Sequence, residues 1–289
     1  MRVPDRCLAD LRQRGYLVFE GFLEADELAA AQEALWLHYP RPEEYFADPA
    51  AHAWLATDQW AGIVRGPWRS WSLNRLAFHP DLLDLAERFL GSADLRLYEA
   101  ELWAKYAGAV DYDQRHHRDF VNHSLVVPKR SQPATQMASW ILLSDVGHED
   151  GPTKIVPLSV GQSVPYWPVP GHHDITNYLP AGMFAEEEVS MTGPSGTLFT
   201  FRTDVLHRGS RMTGERSTAL RSSPTTTCGH RAGPAESPGP SARRVQTGSR
   251  SSSGRLPGSG RCSASPLRAT RTGTSRPWPT PKRATPGPI

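Results

Sequence analysis

The chain has 289 residues, a formal net charge of +2 and three widely spaced cysteines, Cys7, Cys228 and Cys262. No stretch approaches the roughly 20 apolar residues of a membrane span, and the first residues lack the apolar run of a signal peptide. With neither a CxxC pair nor an even cysteine framework, the expectation is a soluble protein of a reducing, cytoplasmic compartment.

The small net charge conceals two materials. Residues 1–218 carry 20 Lys+Arg against 29 Asp+Glu, whereas residues 219–289 carry 12 against a single acid, Glu236. All 9 Phe, all 8 Tyr and 8 of the 9 Trp lie in the first part, and 11 of the 26 Pro in the second. Only the first part holds enough apolar area to offset chain entropy. The expected organisation is therefore one domain over 1–218 and a disordered basic Pro/Ser/Arg-rich tail over 219–289.

Taken in chain order, Asp5 to Gly15 predicts a short amphipathic helix and Tyr16 to Phe19 a strand. Glu24 to His38, rich in Ala, Leu and Glu with apolar residues at helical spacing, predicts a helix. Residues 40–72 form a polar-aromatic stretch containing Trp54, Trp60, Trp68 and Trp71. Pro80 to Leu90 predicts a second long helix, with proline at an allowed early position and Gly91 past its end. From Leu95 the pattern turns to strands: LRLYEAELWAKY, QMASWILLSDV, TKIVP, EVSMT and GTLFTF, separated by Gly, Pro and Asp turns. Helices followed by many short strands imply an α+β, mainly β architecture built on an antiparallel sandwich or barrel.

Three His-x-Asp pairs occur: His117/Asp119, His148/Asp150 and His172/Asp174. The second lies in GHEDGP, a turn between strands, and the third follows a proline-rich run. The first comes shortly after a strong strand, and 88 residues beyond Asp119 another strong strand leads to His207. Alternate residues of a strand share a face, so a His and an Asp two apart can grip one ion. Two imidazoles and one carboxylate on one face of a metal are the donor set of non-haem Fe(II) oxygenases. An ordinary surface histidine is the competing reading for each residue taken singly.

Three segments resemble the phytanoyl-CoA dioxygenase-like family of Fe(II)/2-oxoglutarate oxygenases, over roughly residues 8–218. RGYLVFEGFLEADELAAAQEAL is similar to the family's N-terminal strand and helix. SWILLSDVGHEDGPTKIVPLS is similar to its central strand pair, with Leu158-Ser159-Val160 where the family carries Gly-Ser-His. GTLFTFRTDVLHRGSRMTGERS is similar to its distal-His and Arg segment. The resemblance implies a double-stranded β-helix (jelly-roll, cupin-like) with N-terminal helices on one side. It implies His117, Asp119 and His207 as ligands of Fe(II), with 2-oxoglutarate as co-substrate and O2 as oxidant. Arg216 is the implied anchor of the far 2-oxoglutarate carboxylate, whose geometry an arginine fork matches; the competing Arg211, only four residues after His207, fits the family less well. Lys105 and Gln136 are candidate further contacts. The implied reaction is hydroxylation or desaturation of a small organic molecule with release of succinate and CO2. The carboxylate of Asp119 speaks against halogenation, for which related enzymes carry a small residue instead.

Substrate contacts are weighed on position alone. Asn122 and His123 follow the first ligand pair, and Trp60, Trp68, Trp71 and Trp167 are pocket candidates that aromatic residues of a core would equally supply.

The break at residue 219 falls where the family supplies its next core strand. A one-base shift of the reading frame permits strand-like and helical sequences downstream, so the tail is either a genuine basic segment or an out-of-frame translation. A chain lacking that strand would open the barrel at a sheet edge and loosen Arg216. The tail's charge suits nonspecific nucleic-acid contact, but no nucleic-acid motif accompanies it. The rivals to an oxygenase are a catalytically impaired β-helix protein and a cupin-like metalloprotein that does not use 2-oxoglutarate.

Overall fold

In the computed structural model, which describes residues 3–109, 112–119, 136–166, 179–228 and 243–244, helices open the chain. Helix α1 (Asp5–Arg14) ends at Gly15, whose left-handed φ of 86° turns the chain into strand β1 (Tyr16–Phe19). Helix α2 (Ala25–Leu35) starts with a capping box in which the Glu24 backbone N–H donates to Glu27. The polar-aromatic stretch, left without elements by sequence reasoning, folds into α3 (Pro42–Ala47), a 3-10 segment (Pro49–Ala56), strand β2 (Ile63–Arg65) and α4 (Trp71–Ala77). Helix α5 (Pro80–Leu90) has Pro80 in its first turn and Gly91 at its end in the left-handed region, as expected.

The remaining described strands are β3 (Leu95–Tyr106), β4 (Gln136–Leu142), β5 (Thr153–Ile155), β6 (Val189–Ser190), β7 (Leu198–Arg202), β8 (His207–Gly209), β9 (Thr218–Cys228) and β10 (Arg243–Arg244). They form two antiparallel sheets. The larger runs β1-β7-β4-β9-β3-β10 with β2 beside β3, and the smaller runs β6-β5-β8. A short helix, α6 (Leu158–Gly161), occupies the place of the altered Gly-Ser-His motif.

Side-chain alternation divides the interior. Leu102, Ala104 and Tyr106 of β3, with Met137 and Ile141 of β4, face a core shared with α1, α2, α4 and α5. The opposite face of β4 carries Ala138, Trp140 and Leu142, which pack with Ile155, Phe199 and Phe201 in a second core. β4 is thus buried on both sides, which explains its nearly continuous apolar run. The helices lie on one face of the large sheet, and the small sheet contributes to the interior behind the other.

Strand β9 corrects the expected boundary at 218. Its residues pair with β3 from Leu95↔Cys228 to Tyr106↔Thr218 and with β4 from Gln136↔Thr227 to Leu142↔Arg221. The strand expected to be missing is therefore present at the centre of the large sheet, built from the sequence as it stands. Its polar composition concealed it: Ser222 and Thr226 are buried although neither residue type signals a core strand. Pro224 fits because the β4 ladder skips residues 223 and 224, so no N–H is demanded on that side. Apart from β10, the rest of the expected tail lies outside the described residues. The cysteine reading also changes, because Cys7 is fully buried and disulfide-bonded, which removes the cysteine argument for a reducing compartment. Among the described residues no helix is long and apolar enough to cross a membrane.

Gly15 links the helical layer to the site. A Cβ there would overlap Val205 Cγ2, two residues before His207, and would have to adopt a left-handed backbone. Gly15→Ala is expected to lower stability by about 2 kcal/mol, roughly the left-handed penalty for an L side chain. Urea midpoints at unchanged m-value check this.

Candidate metal centre

His117 lies in an extended segment, residues 112–119, that runs beside β8. His117 N–H donates to the His207 carbonyl at 2.9 Å and His207 N–H donates back at 3.0 Å. This reciprocal pair holds the two backbones at the separation of an antiparallel bridge and sends both side chains to the same face. Asp119, two residues on, joins them. His207 Nε2 stands 3.2 Å and His117 Nε2 3.9 Å from Asp119 Oδ1, and one ligand atom from each residue falls within 4.8 Å of the others.

Each imidazole is oriented from behind. His117 Nδ1 lies 2.9 Å from the Arg115 carbonyl and His207 Nδ1 3.2 Å from that of Val205. Since a carbonyl only accepts, each Nδ1 donates its proton and each Nε2 faces the common centre, the second-shell arrangement of metal-binding histidines. Burial, reinforced by His207, pulls the His117 pKa down to about 4, leaving its Nε2 lone pair available. Burial also opposes a charged His207, but the charge and hydrogen bond of Asp119 outweigh it and raise the pKa.

The triad borders a cavity of about 470 Å³ lined by Trp60, Glu101, Trp103, Lys105, Trp140 and Arg221, among others. Alternation on β3 puts Glu99, Glu101, Trp103 and Lys105 on this face. Arg221, opposite Trp103 in the β3–β9 register, lies with its guanidinium 4.2 Å from the Trp103 ring centre and 4.1 Å from that of Trp140. Its Nη1 donates to Thr153 Oγ1 at 3.1 Å, while its Nε is buried with no hydrogen-bond partner among the described residues. Burial pulls its pKa down to about 10, against the opposing influence of Tyr112, Glu101 and Asp119. Lys105 Nζ donates to the carbonyls of Gly151 and Ser210 at 3.0 and 2.7 Å.

The residues between the ligands point the other way. Arg118 is 1 % exposed and donates to the carbonyls of Asp204, Pro165, Gly161 and Val164. Glu188 accepts from His116 Nε2 at 3.1 Å, Lys154 Nζ at 2.8 Å, and Arg208 Nε and Nη2 at 2.8 and 2.7 Å. Burial acts to raise the pKa of Glu188, but these hydrogen bonds prevail and hold it well below the usual carboxylate range.

Other expected site residues separate from the triad. Arg216 is exposed, its guanidinium 4.8 Å from the Phe46 ring centre in a surface groove with Trp36 and Glu149. It does not line the cavity of the triad, because the turn after β8 carries it to the helical side of the sheet. Arg211 is likewise exposed, tied through its backbone N–H to Asp113. Gln136 starts β4 away from the cavity lining, whereas Lys105 lines it. Trp60 stands at the cavity, 47 % exposed and 5.8 Å from Trp103 between ring centres. Trp68 belongs to the helical core, and Trp71 is exposed. His148 sits in an exposed turn, as expected. Asn122, His123, Trp167, His172 and Asp174 lie outside the described residues. Sequence reasoning missed Trp103, Trp140, Arg118, Glu188 and Arg221. Alternation along β3 from Lys105 was the available signal for Trp103; Arg221 had none, lying in a segment taken as disordered.

An antiparallel two-sheet core with helices on one face, and a two-histidine, one-carboxylate cluster inside it, is the setting of non-haem iron oxygenases. The chain belongs to the phytanoyl-CoA dioxygenase (PhyH) family, whose model matches residues 11–219. It is accordingly a 2-oxoglutarate-dependent oxygenase. Among solved structures it is similar to the epimerase SnoN in complex with Fe3+, alpha ketoglutarate and nogalamycin RO, at 21 % identity and a TM-score of 0.58, covering 78 % of this chain and 83 % of that one. EctD from S. alaskensis with 2-oxoglutarate and 5-hydroxyectoine matches at 21 % identity and 0.55, covering 78 % and 76 %. HygX from Streptomyces hygroscopicus with nickel, 2-oxoglutarate and hygromycin B matches at 16 % and 0.55, covering 79 % and 88 %. At these identities the likeness establishes the fold. No curated protein sequence matches the chain significantly.

Proposed function

We propose that this chain hydroxylates or desaturates a C–H bond of a small organic molecule, with conversion of 2-oxoglutarate to succinate and CO2. The observation that carries the reading is the convergence of His117 Nε2, Asp119 Oδ1 and His207 Nε2 beside the cavity. These three atoms are the donors that would hold Fe(II), and the two Nδ1–carbonyl contacts keep the imidazoles in the ligating tautomer. In this reading the two sheets are the large and small sheets of a double-stranded β-helix.

Fe(II), 2-oxoglutarate and O2 supply the oxidising power when bound. The chain supplies placement. Arg221, in place of the expected Arg216, takes the far carboxylate of the 2-oxo acid: its buried Nε is an unmet donor, and a buried donor left without an acceptor is costly. Two indole faces hold the guanidinium plane, so its donors are aimed before a ligand arrives. Lys105, pinned by two carbonyls, adds positive charge on the same face of β3. The side of the cavity near Trp60, Glu99 and Glu101 is left for the substrate. Asp119 fills the ligand position that a halide would need, which favours oxygen insertion or desaturation over halogenation.

Anaerobic titration of the protein with Fe(II) and then 2-oxoglutarate tests the reading. The expected result is a weak visible charge-transfer band that saturates at one equivalent of each. Metal binding without that band would instead mark a metalloprotein that does not use 2-oxoglutarate.

A further inference from the structure

The face of the small sheet opposite the metal ligands carries a second set of side chains. Thr153 pairs with Gly209, Lys154 with Arg208 and Ile155 with His207. Alternation sends His207 to the cavity and Lys154 and Arg208 to the reverse side. The same holds across the His117–His207 bridge, where His116 points away from the metal side. Lys154, Arg208 and His116 all converge on one carboxylate, Glu188, whose side chain is 3 % exposed. Glu188 is placed by the turn that precedes β6, where its N–H donates to the Phe184 carbonyl at 3.0 Å and the Phe184 ring meets His116 edge-on.

Two of the three groups on Glu188 are therefore immediate chain neighbours of the two ligand histidines. His116 belongs to the segment of His117, and Arg208 to the strand of His207. The two segments meet directly through the reciprocal bridge at His117 and His207 and, toward the other end of β8, through Gln114 on Gly209 and Asp113 on Arg208, a short ladder to hold two imidazoles in register. We propose that Glu188 is a positioning residue for the metal centre: by binding His116 and Arg208 together on the reverse side, it sets the spacing of His117 and His207 on the front. The inference rests on the reading of His117, Asp119 and His207 as the metal site. It assigns Glu188 no contact with metal, co-substrate or substrate.

Glu188→Gln keeps the shape and removes the charge that gathers the three donors. Outer-shell changes of this kind weaken metal affinity by about 10- to 100-fold, so anaerobic Fe(II) titration of the folded variant is expected to show a loss of at least ~10-fold. At saturating Fe(II), the 2-oxoglutarate charge-transfer band is expected to shift in wavelength, because the imidazole spacing has changed. Arg88→Met serves as the comparator: it breaks an ion-pair network between α1 and α5, remote from the ligands, and is expected to cost stability while leaving Fe(II) affinity and the band unchanged. If Glu188→Gln does not fold, Arg208→Met decides the matter by freeing the β8 side alone, with the same loss expected. A folded Glu188→Gln, or in its absence Arg208→Met, with wild-type Fe(II) affinity and an unshifted band overturns the proposal. So does an equal loss in Arg88→Met. Failure of the wild-type protein to bind Fe(II) would instead overturn the metal-site reading itself.

Discussion

Asp119→Ala is expected to abolish 2-oxoglutarate turnover and to weaken Fe(II) binding by at least ~100-fold, beyond the range seen for outer-shell changes. Asp119 is the anionic donor of the triad and the group that faces both imidazoles. It also raises the pKa of His207 in the metal-free protein. Without it, two neutral imidazoles with ring centres 4.5 Å apart face a divalent cation with no charge to offset its desolvation. Asp119 is partly exposed at the cavity, so the variant is expected to fold. Succinate release measured beside circular dichroism checks both halves. Wild-type turnover in folded Asp119→Ala would remove the metal assignment.

Arg221→Gln is expected to raise the dissociation constant of 2-oxoglutarate by roughly 100-fold, on the order of 3 kcal/mol for one partner of a buried charged hydrogen-bonded pair. Arg216→Gln, changing an exposed side chain on Phe46, is expected to stay within about twofold. Trp103 and Trp140 sandwich the guanidinium, so quenching of their fluorescence by 2-oxoglutarate gives a binding signal independent of turnover. Arg221→Met adds a structural control. Arg221 is half-buried and forms no ion pair among the described residues, and methionine keeps apolar contact with the two indoles, so the melting temperature without ligand is expected to hold while 2-oxoglutarate affinity falls. The reverse ranking of Arg216 and Arg221 would return the anchor to the position expected from sequence.

Much of the fold was legible because its signals are local. Helices α1, α2 and α5 announce themselves by apolar periodicity and by punctuation such as Pro80 and Gly91. Strand β1 follows from the apolar run YLVF and β3 from aliphatic and aromatic residues alternating with charged ones, each bounded by turns. The stretch at 40–72 was not legible, because its short helices and β2 are stabilised by packing on the large sheet, and segments of six to eight residues carry too little periodicity to stand out. Strand β9 shows the limit most sharply. Ser, Thr and Pro argue for a solvated tail, yet residues 218–228 pair with β3 and five of them also with β4, and tertiary context overrides propensity.

The site divides along the same line. His117, Asp119 and His207 were implied by the family resemblance; two-residue spacing and position near strong strands favoured them among three His-x-Asp pairs but did not select them alone, since strands put alternate residues on one face. Which arginine lies beside the triad was not accessible, because nine residues after His207 predicts nothing about the side of the sheet to which a turn delivers Arg216. Nor could the sequence show that His116 and Arg208 meet on Glu188, some 70 and 20 residues away along the chain. By itself the sequence, through its resemblance to a family, indicated the class of chemistry and three candidate donors that the fold brings together. Only the tertiary structure brought Arg221, and not Arg216, to the cavity and His116 and Arg208 to one buried carboxylate, because both depend on strand register and on which face of a sheet each side chain occupies.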